Sequence, residues 1–129
     1  MAHPRMFDDD DEALTWVRAV CLAYPEASER ISHGRPNFFV RRSFCYFGGS
    51  ERIDGSWVAH DHAVLVKPDP NDAPAYREDP RCFIPAYLGP KGWIGVELDA
   101  VDPDEAAELI DASYRATAPA RLVRSLDEG

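Results

Sequence analysis

Residues 37–47 read Asn-Phe-Phe-Val-Arg-Arg-Ser-Phe-Cys-Tyr-Phe, and this stretch decides the fold class. Aromatic and β-branched residues dominate residues 37–40 and 43–47, and such residues favour β-strands. Only Arg41 and Arg42 separate the two runs, so the pattern indicates a hairpin. The stretch therefore predicts two antiparallel strands with a pair of arginines at the tip between them.

Further strands are predicted on both sides of this hairpin. Residues 29–32 form a short strand that ends at the His-Gly-Arg-Pro turn of residues 33–36. Residues 57–67 form a longer strand, and residues 93–98 form the last one. The stretch between them at residues 48–56 is rich in Gly, Ser and Asp, which is typical of a loop.

Helices are predicted near both ends of the chain. The acidic run of residues 8–12 precedes apolar residues at three- and four-residue spacing, which indicates an amphipathic helix that stops at Pro25. Near the other end, Asp102 is a good N-cap, Pro103 suits the first helical position, and Glu105 can complete a capping box. We expect this second helix to end before Pro119, and a short helix over residues 73–79.

This order of elements predicts an α+β two-layer sandwich, with the N- and C-terminal helices packed on one face of an antiparallel β-sheet. A chain of 129 residues has room for one domain with one core. We expect residues 1–7 to be a flexible N-terminus and residues 8–129 to form a single domain.

The charge of the chain restricts its binding partners. The net charge is −9, and DNA affinity depends on basic residues that neutralise phosphates. Residues 30–53 nevertheless carry five arginines against one acid, Glu51, a local balance of +4. Residues 69–111 carry eleven acids against three basic residues, a balance of −8. Any nucleic-acid contact is therefore expected in the arginine-bearing segment.

The cysteines and the hydropathy pattern indicate the cellular compartment of the protein. Cys21, Cys45 and Cys82 are widely spaced and form no zinc-binding pattern, so we expect each to be a small core residue. The sequence shows no signal peptide and no long apolar run, which predicts a cytoplasmic protein that does not contact a membrane.

Three ordered stretches carry a resemblance to a known family. They are Leu-Ala-Tyr-Pro-Glu at residues 22–26, His-Gly-Arg-Pro-Asn-Phe at residues 33–38, and Tyr-Leu-Gly-Pro-Lys-Gly-Trp at residues 87–93. Leu98 and Asp99 follow, and the last helix then leads to Ala-Pro-Ala-Arg-Leu-Val at residues 118–123. In this order the stretches resemble the MmcQ/YjbR family over about residues 12–126 of the chain.

The resemblance implies a bacterial cytoplasmic protein with a fold like that of frataxin (CyaY-like). It also implies DNA binding through a double-wing arrangement, with no catalytic residues and no cofactor. Residues 48–62 show no family pattern. The sequence itself contains none of the common catalytic motifs, so we expect a non-enzymatic protein.

The first functional hypothesis is DNA binding through the arginine-bearing hairpin. Phosphate contacts are expected from Arg35, Arg41, Arg42 and Lys91, because guanidinium and ammonium groups bind phosphates. Tyr87 or Trp93 would then stack on bases. The alternative for Trp93 is a purely structural role, as a core side chain beneath a turn.

The alternative is a small-molecule or protein-binding scaffold with no role on nucleic acid. In it the turn at residues 87–93 and Arg121 line a pocket for a small planar or anionic ligand. His33 is a further candidate contact, although a histidine in such a turn is more often bonded within the turn.

Metal binding is a weaker possibility. His60 and His62 would share one face of a strand, and Asp104, Glu108 and Asp111 would share one face of the last helix. Such pairs and acidic helix faces are usually solvated, so we expect no metal site.

Overall fold

Six antiparallel strands form one open sheet in the computed structural model, which describes residues 4–129. The spatial order of the strands is β1-β2-β3-β4-β6-β5. Their bounds are β1 Ser28–Ser32, β2 Arg35–Val40, β3 Arg42–Ile53, β4 Ser56–Val66, β5 Cys82–Phe83 and β6 Ile94–Glu97. The predicted antiparallel sheet is confirmed, and β2 and β3 form the predicted hairpin.

Four α-helices complete the fold of residues 4–129. Their bounds are α1 Glu12–Leu22, α2 Ala73–Glu78, α3 Pro103–Thr117 and α4 Ala120–Glu128. Short 3₁₀ helices at Gly89–Lys91 and Leu98–Ala100 flank β6. The α+β class is confirmed. Within residues 4–129, none of the helices is both apolar enough and long enough to cross a membrane.

The main core lies between the helices and one face of the sheet. Its members alternate along the strands and recur at helical spacing in α1 and α3, so each element buries one side. The largest fully buried side chains of this core are Tyr114, Phe38, Phe44, Phe47, Leu14, Ile94 and Ile110. Cys21 and Cys45 also lie in it as free thiols, which confirms the core prediction for these two, and burial raises the pKa of Cys21.

Helix α3 is attached to the sheet by a buried hydroxyl. Oγ of Ser113 donates to the carbonyl oxygen of Phe44 on β3 and accepts the N–H of Lys67, just after β4, at 2.9 Å. Its neighbour Tyr114 stacks on Tyr24 with ring centroids 4.5 Å apart. These contacts hold α3 across the middle strands.

A second, smaller apolar cluster lies on the opposite face of the sheet. Ala63 and Leu65 belong to it, whereas Val64 belongs to the main core, and successive side chains of a strand point to opposite faces. The cluster is covered by residues 84–93, whose backbone is tied to β3 by a 2.8 Å hydrogen bond from the N–H of Ala86 to the carbonyl of Ser50. This segment covers only part of the face.

The prediction of a loop at residues 48–56 is wrong. Strand β3 continues to Ile53 and β4 begins at Ser56, so only Asp54 and Gly55 connect them. Both connecting residues have positive φ, 49° and 82°, as a two-residue type I′ hairpin turn requires. Gly48, Gly49 and Ser50 lie within β3, Gly55 lies in the tight turn, and Ser56 begins β4, so these small residues do not mark a loop here.

The capping box predicted for α3 is also wrong. Asp102 occupies the N-cap position with extended backbone, but its side chain makes no capping hydrogen bond. Glu105 instead receives two hydrogen bonds from the guanidinium of Arg81, at 2.9 and 3.1 Å. A bidentate pair with a charged donor is stronger than the reach back to one backbone N–H.

Residues 4–6 pack against the β1–β2 turn. The predicted flexible segment of residues 1–7 lies partly outside the described residues, which begin at residue 4. From there, the N–H of Met6 donates to the carbonyl of Gly34 at 2.8 Å, and the Arg5 guanidinium lies 4.6 Å from the centre of the Phe7 ring.

Replacing Ser113 by alanine should destabilise the protein. The Ser113→Ala change leaves the carbonyl of Phe44 and the N–H of Lys67 without their partner, so we expect a loss of about 1–3 kcal/mol in the free energy of unfolding. Urea titration followed by circular dichroism measures it. The control is Ser125→Ala at an exposed site of α4, where a change within about 0.5 kcal/mol is expected. Equal effects of the two changes would contradict the role given to Ser113.

Candidate functional site

An open groove lies on the sheet face opposite the helices. Its volume is about 790 Å³, which is within the range of small-molecule sites. It runs between the β1–β2 turn, the β3–β4 ribbon and the segment of residues 84–93. The lining residues are Met6, Ser32, His33, Arg35, Tyr46, Gly48, Gly49, Ser50, Trp57, Leu65, Ala86, Tyr87 and Leu88.

Two glycines of β3 make room for the larger side chains of this groove. A Cβ added to Gly48 would lie 2.3 Å from Nη1 of Arg35, and one added to Gly49 would lie 2.8 Å from the methyl carbons of Leu65. Gly48 also has φ of 82°, which disfavours any other residue. The β3–β4 register is irregular between Phe47 and Gly49. The local backbone therefore positions the guanidinium of Arg35.

Arg35 is the charged side chain buried in the groove, with 7% of its surface exposed. Its Nη2 donates to Oδ1 of Asp61 at 3.1 Å, while its Nη1 has no hydrogen-bond partner among the described residues. The Asp61 side chain is 61% exposed, so water screens this ion pair. The guanidinium of Arg35 is thus buried while the N–H donors of Nη1 stay unused among the described residues.

An aromatic pair borders the groove. The ring centroids of Trp57 and Tyr87 lie 5.9 Å apart at an interplanar angle of 35°. Their exposed fractions are 52% and 79%, and the guanidinium of Arg52 lies over the Trp57 ring at 4.6 Å. Tyr87 has φ of 66°, a strained conformation for an aromatic residue. These rings offer flat apolar surface to a planar compound.

The lining of the groove differs in charge from the acidic protein as a whole. Among the described residues, those that line it include no carboxylate, and its basic side chains are His33 and Arg35. His33 is exposed in the β1–β2 turn, where its Nδ1 lies 3.2 Å from Oγ of Ser32. An anion that enters the groove therefore meets hydrogen-bond donors and the guanidinium of Arg35 in its walls.

Three of the residues proposed from the sequence meet in this groove: His33, Arg35 and Tyr87. Trp93 is only 7% exposed and packs edge-on against Tyr46 at 5.7 Å, so it supports the floor and offers no free face for stacking.

The remaining basic candidates lie elsewhere. Arg41, with φ of 62°, and Arg42 are exposed at the β2–β3 turn, at the other end of β2 from Arg35. The rise of a strand separates Arg35 from Arg41 by about 20 Å. Lys91 is exposed in the 3₁₀ helix Gly89–Lys91. These four residues therefore do not form one phosphate-binding cluster.

Arg121 lies outside the lining of this groove. Its guanidinium donates to Oε2 of Glu26 at 2.9 Å, and this hydrogen bond raises the pKa of Arg121. The two residues join the start of α4 to the loop after α1. The sequence pattern predicted no separate helix after Pro119. It therefore could not place Arg121, which lies in α4.

The two histidines of β4 have separate partners. His60 lies between the carboxylates of Glu51, at 2.9 Å, and Glu97, and its ring stacks on Phe83 at 3.8 Å. Nε2 of His62 lies 2.6 Å from a carboxylate oxygen of Asp11. Residues 4–129 contain no group of three or more His, Cys, Asp or Glu side chains arranged to hold a metal ion.

Sequence reasoning missed Trp57, Tyr46 and the two glycines of β3 as site residues. The cause is the loop assigned to residues 48–56, which left out the pairing of residues 49–53 with the start of β4, where Trp57 lies. The Asp54-Gly55 pair is the signal that could have found the hairpin, because Asp-Gly is a preferred type I′ turn sequence.

Comparison with known proteins bears on the family and on the fold. The YjbR family model matches residues 22–116. A crystal structure of a protein from Pseudomonas syringae superposes with a TM-score of 0.61 at 15% sequence identity, covering 84% of this chain and 99% of that one. At this identity the likeness supports the fold alone. No curated protein matches the chain.

Replacing Gly48 by alanine should cost more stability than the same change at Gly55. Both glycines have φ of 82°, but a Cβ at Gly55 would meet no atom within 4 Å, whereas one at Gly48 would collide with Arg35. Gly55→Ala is therefore expected to cost about 1–2 kcal/mol from backbone strain. Gly48→Ala should cost about 1–3 kcal/mol more from overpacking. Urea titrations of both variants measure the difference, and equal costs would contradict the packing of Arg35 on Gly48.

Proposed function

The chain belongs to the YjbR family, and from its groove we propose that it is a non-enzymatic binding protein for a small planar ligand. The single observation that carries this proposal is the pair of neighbouring, exposed aromatic rings of Trp57 and Tyr87 beside a groove of about 790 Å³. Adjacent large apolar rings in contact with water are typical of an interaction site.

Binding without chemical conversion is supported by the polar groups of the groove. Among the described residues that line the groove, His33 is of the type that most often serves as a general acid or base. Nδ1 of that residue is engaged by the neighbouring Ser32 within the β1–β2 turn, which suits a structural or contact role. The other lining groups are the guanidinium of Arg35, which stays protonated, apolar side chains, glycines and hydroxyls. We therefore assign recognition, and no reaction, to this surface.

A neutral planar probe tests the binding site itself. Isothermal titration calorimetry with 2-naphthamide should give saturable binding, because its rings can stack on Trp57 and Tyr87. Trp57→Ala and Tyr87→Ala should each weaken the affinity about 5- to 150-fold, which corresponds to about 1–3 kcal/mol per stacked ring.

The control for this experiment is Leu22→Ala, which removes an exposed apolar side chain at the end of α1. It should leave the affinity unchanged. Loss of binding in the control, or full binding by both aromatic variants, would contradict the groove as the site.

A second candidate function is DNA binding through the β2–β3 turn. Arg41 and Arg42 support it, because both are exposed and neither has an ion-pair partner within 4 Å among the described residues. A hairpin tip with two such side chains suits phosphate contacts. The net charge of −9 restricts this role to the tip.

Fluorescence anisotropy with a labelled DNA duplex at low and moderate salt tests the second candidate. If the tip binds DNA, we expect submicromolar affinity at low salt that falls steeply as salt is added. The double variant Arg41→Gln/Arg42→Gln should lose most of this affinity. Arg124→Gln removes one exposed positive charge from α4 and should change it little. Undetectable binding, or equal losses in the two variants, would exclude the tip as a DNA site.

A further inference from the structure

We infer that the ligand of the groove is anionic, a planar compound with a carboxylate or phosphate group that is received by Arg35. This inference rests on the proposed function, because it names the chemical class of ligand for the same groove. It starts from the unused hydrogen-bond donor of a buried, permanently charged side chain.

Arg35 leaves one of its hydrogen-bond donor groups unused among the described residues. Its Nη1 is buried and has no partner within the described part of the chain, and only 7% of the residue is exposed. Buried polar groups in native proteins nearly always have a partner, and one left without it costs free energy. A ligand oxygen at Nη1 would remove this cost.

The local backbone holds the guanidinium of Arg35 in this position. The ideal Cβ position of Gly48 is 2.3 Å from Nη1 and 3.2 Å from Cζ of Arg35, so the side chain lies directly against the β3 backbone. Only glycine leaves this space free. The guanidinium is therefore oriented before any ligand arrives, which reduces the entropy lost on binding.

One carboxylate, that of Asp61, already contacts Arg35. Asp61 engages only Nη2, at 3.1 Å, and its side chain is 61% exposed. A ligand anion can add to Nη1 beside Asp61, or replace Asp61 and take both nitrogens. Either arrangement gives charge-assisted hydrogen bonds, and the second gives the bidentate geometry that arginine forms with carboxylate and phosphate.

The charge of the groups around Arg35 also favours an anionic ligand. The described residues that line the groove include no acid, and the hydroxyl groups of Ser32 and Ser50 offer further donors. Trp57 and Tyr87 line the same groove as Arg35, so a planar compound can stack on the rings while its acidic group reaches the guanidinium. The groove thus combines an apolar wall with one anion receptor.

Four probes with the same ring system test the inference: 2-naphthamide, 2-naphthol, 2-naphthoate and 2-naphthyl phosphate. Titration calorimetry of the native protein should show at least one of the two anions bound about tenfold or more tightly than the neutral compounds, as charged hydrogen bonds contribute. The tighter of the two anions identifies carboxylate or phosphate as the preferred group.

Two variants assign the preference to Arg35. Arg35→Gln should abolish the advantage of the anions while 2-naphthamide still binds. Asp61→Asn should strengthen anion binding severalfold, because it removes the competing carboxylate and leaves the guanidinium in place. The matched control is Asp54→Asn, which removes one acid from the exposed turn of the same hairpin and should have little effect.

The outcomes separate this inference from the proposed function. Equal binding of anions and neutral compounds by the native protein overturns the anionic class and leaves the planar-ligand site standing. Absence of binding by all four probes overturns both. If Arg35→Gln does not fold, Asp61→Asn decides: unchanged or weaker anion binding in that variant means that the Arg35–Asp61 pair is structural only.

Discussion

The attachment of α3 to the middle of the sheet determines which face is covered and which is open. Tyr114 packs edge-on against Phe44 at 5.3 Å, and its hydroxyl donates to the carbonyl of Pro25 at 2.9 Å. With α1 on the same side, the helices bury one face in a single apolar core. Among the described residues, the segment 84–93 covers part of the other face, and the groove is what this one-sided packing leaves exposed.

The groove also explains how an acidic protein can receive an anion. The net charge of −9 is a property of the whole chain, whereas the field inside a groove is set by the groups in its walls. Here those walls contain Arg35 and no carboxylate among the described residues. Two acids on the strands beside the groove, Glu51 and Asp61, are bonded to His60 and Arg35, respectively.

Much of the fold could be predicted from the sequence because its signals are local. Periodic apolar residues predicted α1, and aromatic runs on either side of Arg41 and Arg42 predicted the β2–β3 hairpin. Strand β5 has only two residues, Cys82–Phe83, and too little pattern to be recognised. The capping box predicted for α3 does not form, because Arg81, far away in sequence, binds Glu105 instead.

The site was harder to predict, since it depends on contacts between distant residues. Arg35 was proposed as a contact, but its burial against Gly48 and its bond to Asp61 follow from the pairing of β2, β3 and β4. Trp93 looked like a stacking residue, and the neighbouring Tyr46 shows why it is buried instead. Trp57 became part of the site only because the β3–β4 ribbon places it beside Tyr87.

The central claim is that the groove receives a planar anion, and a nuclear magnetic resonance titration locates the ligand most directly. Heteronuclear spectra of the ¹⁵N-labelled protein would be recorded while 2-naphthoate is added. The account predicts the largest shifts at the indole N–H of Trp57, the backbone amide of Gly48 and the Nε–H of Arg35. Shifts centred on Arg41 and Arg42, or scattered without saturation, would contradict it.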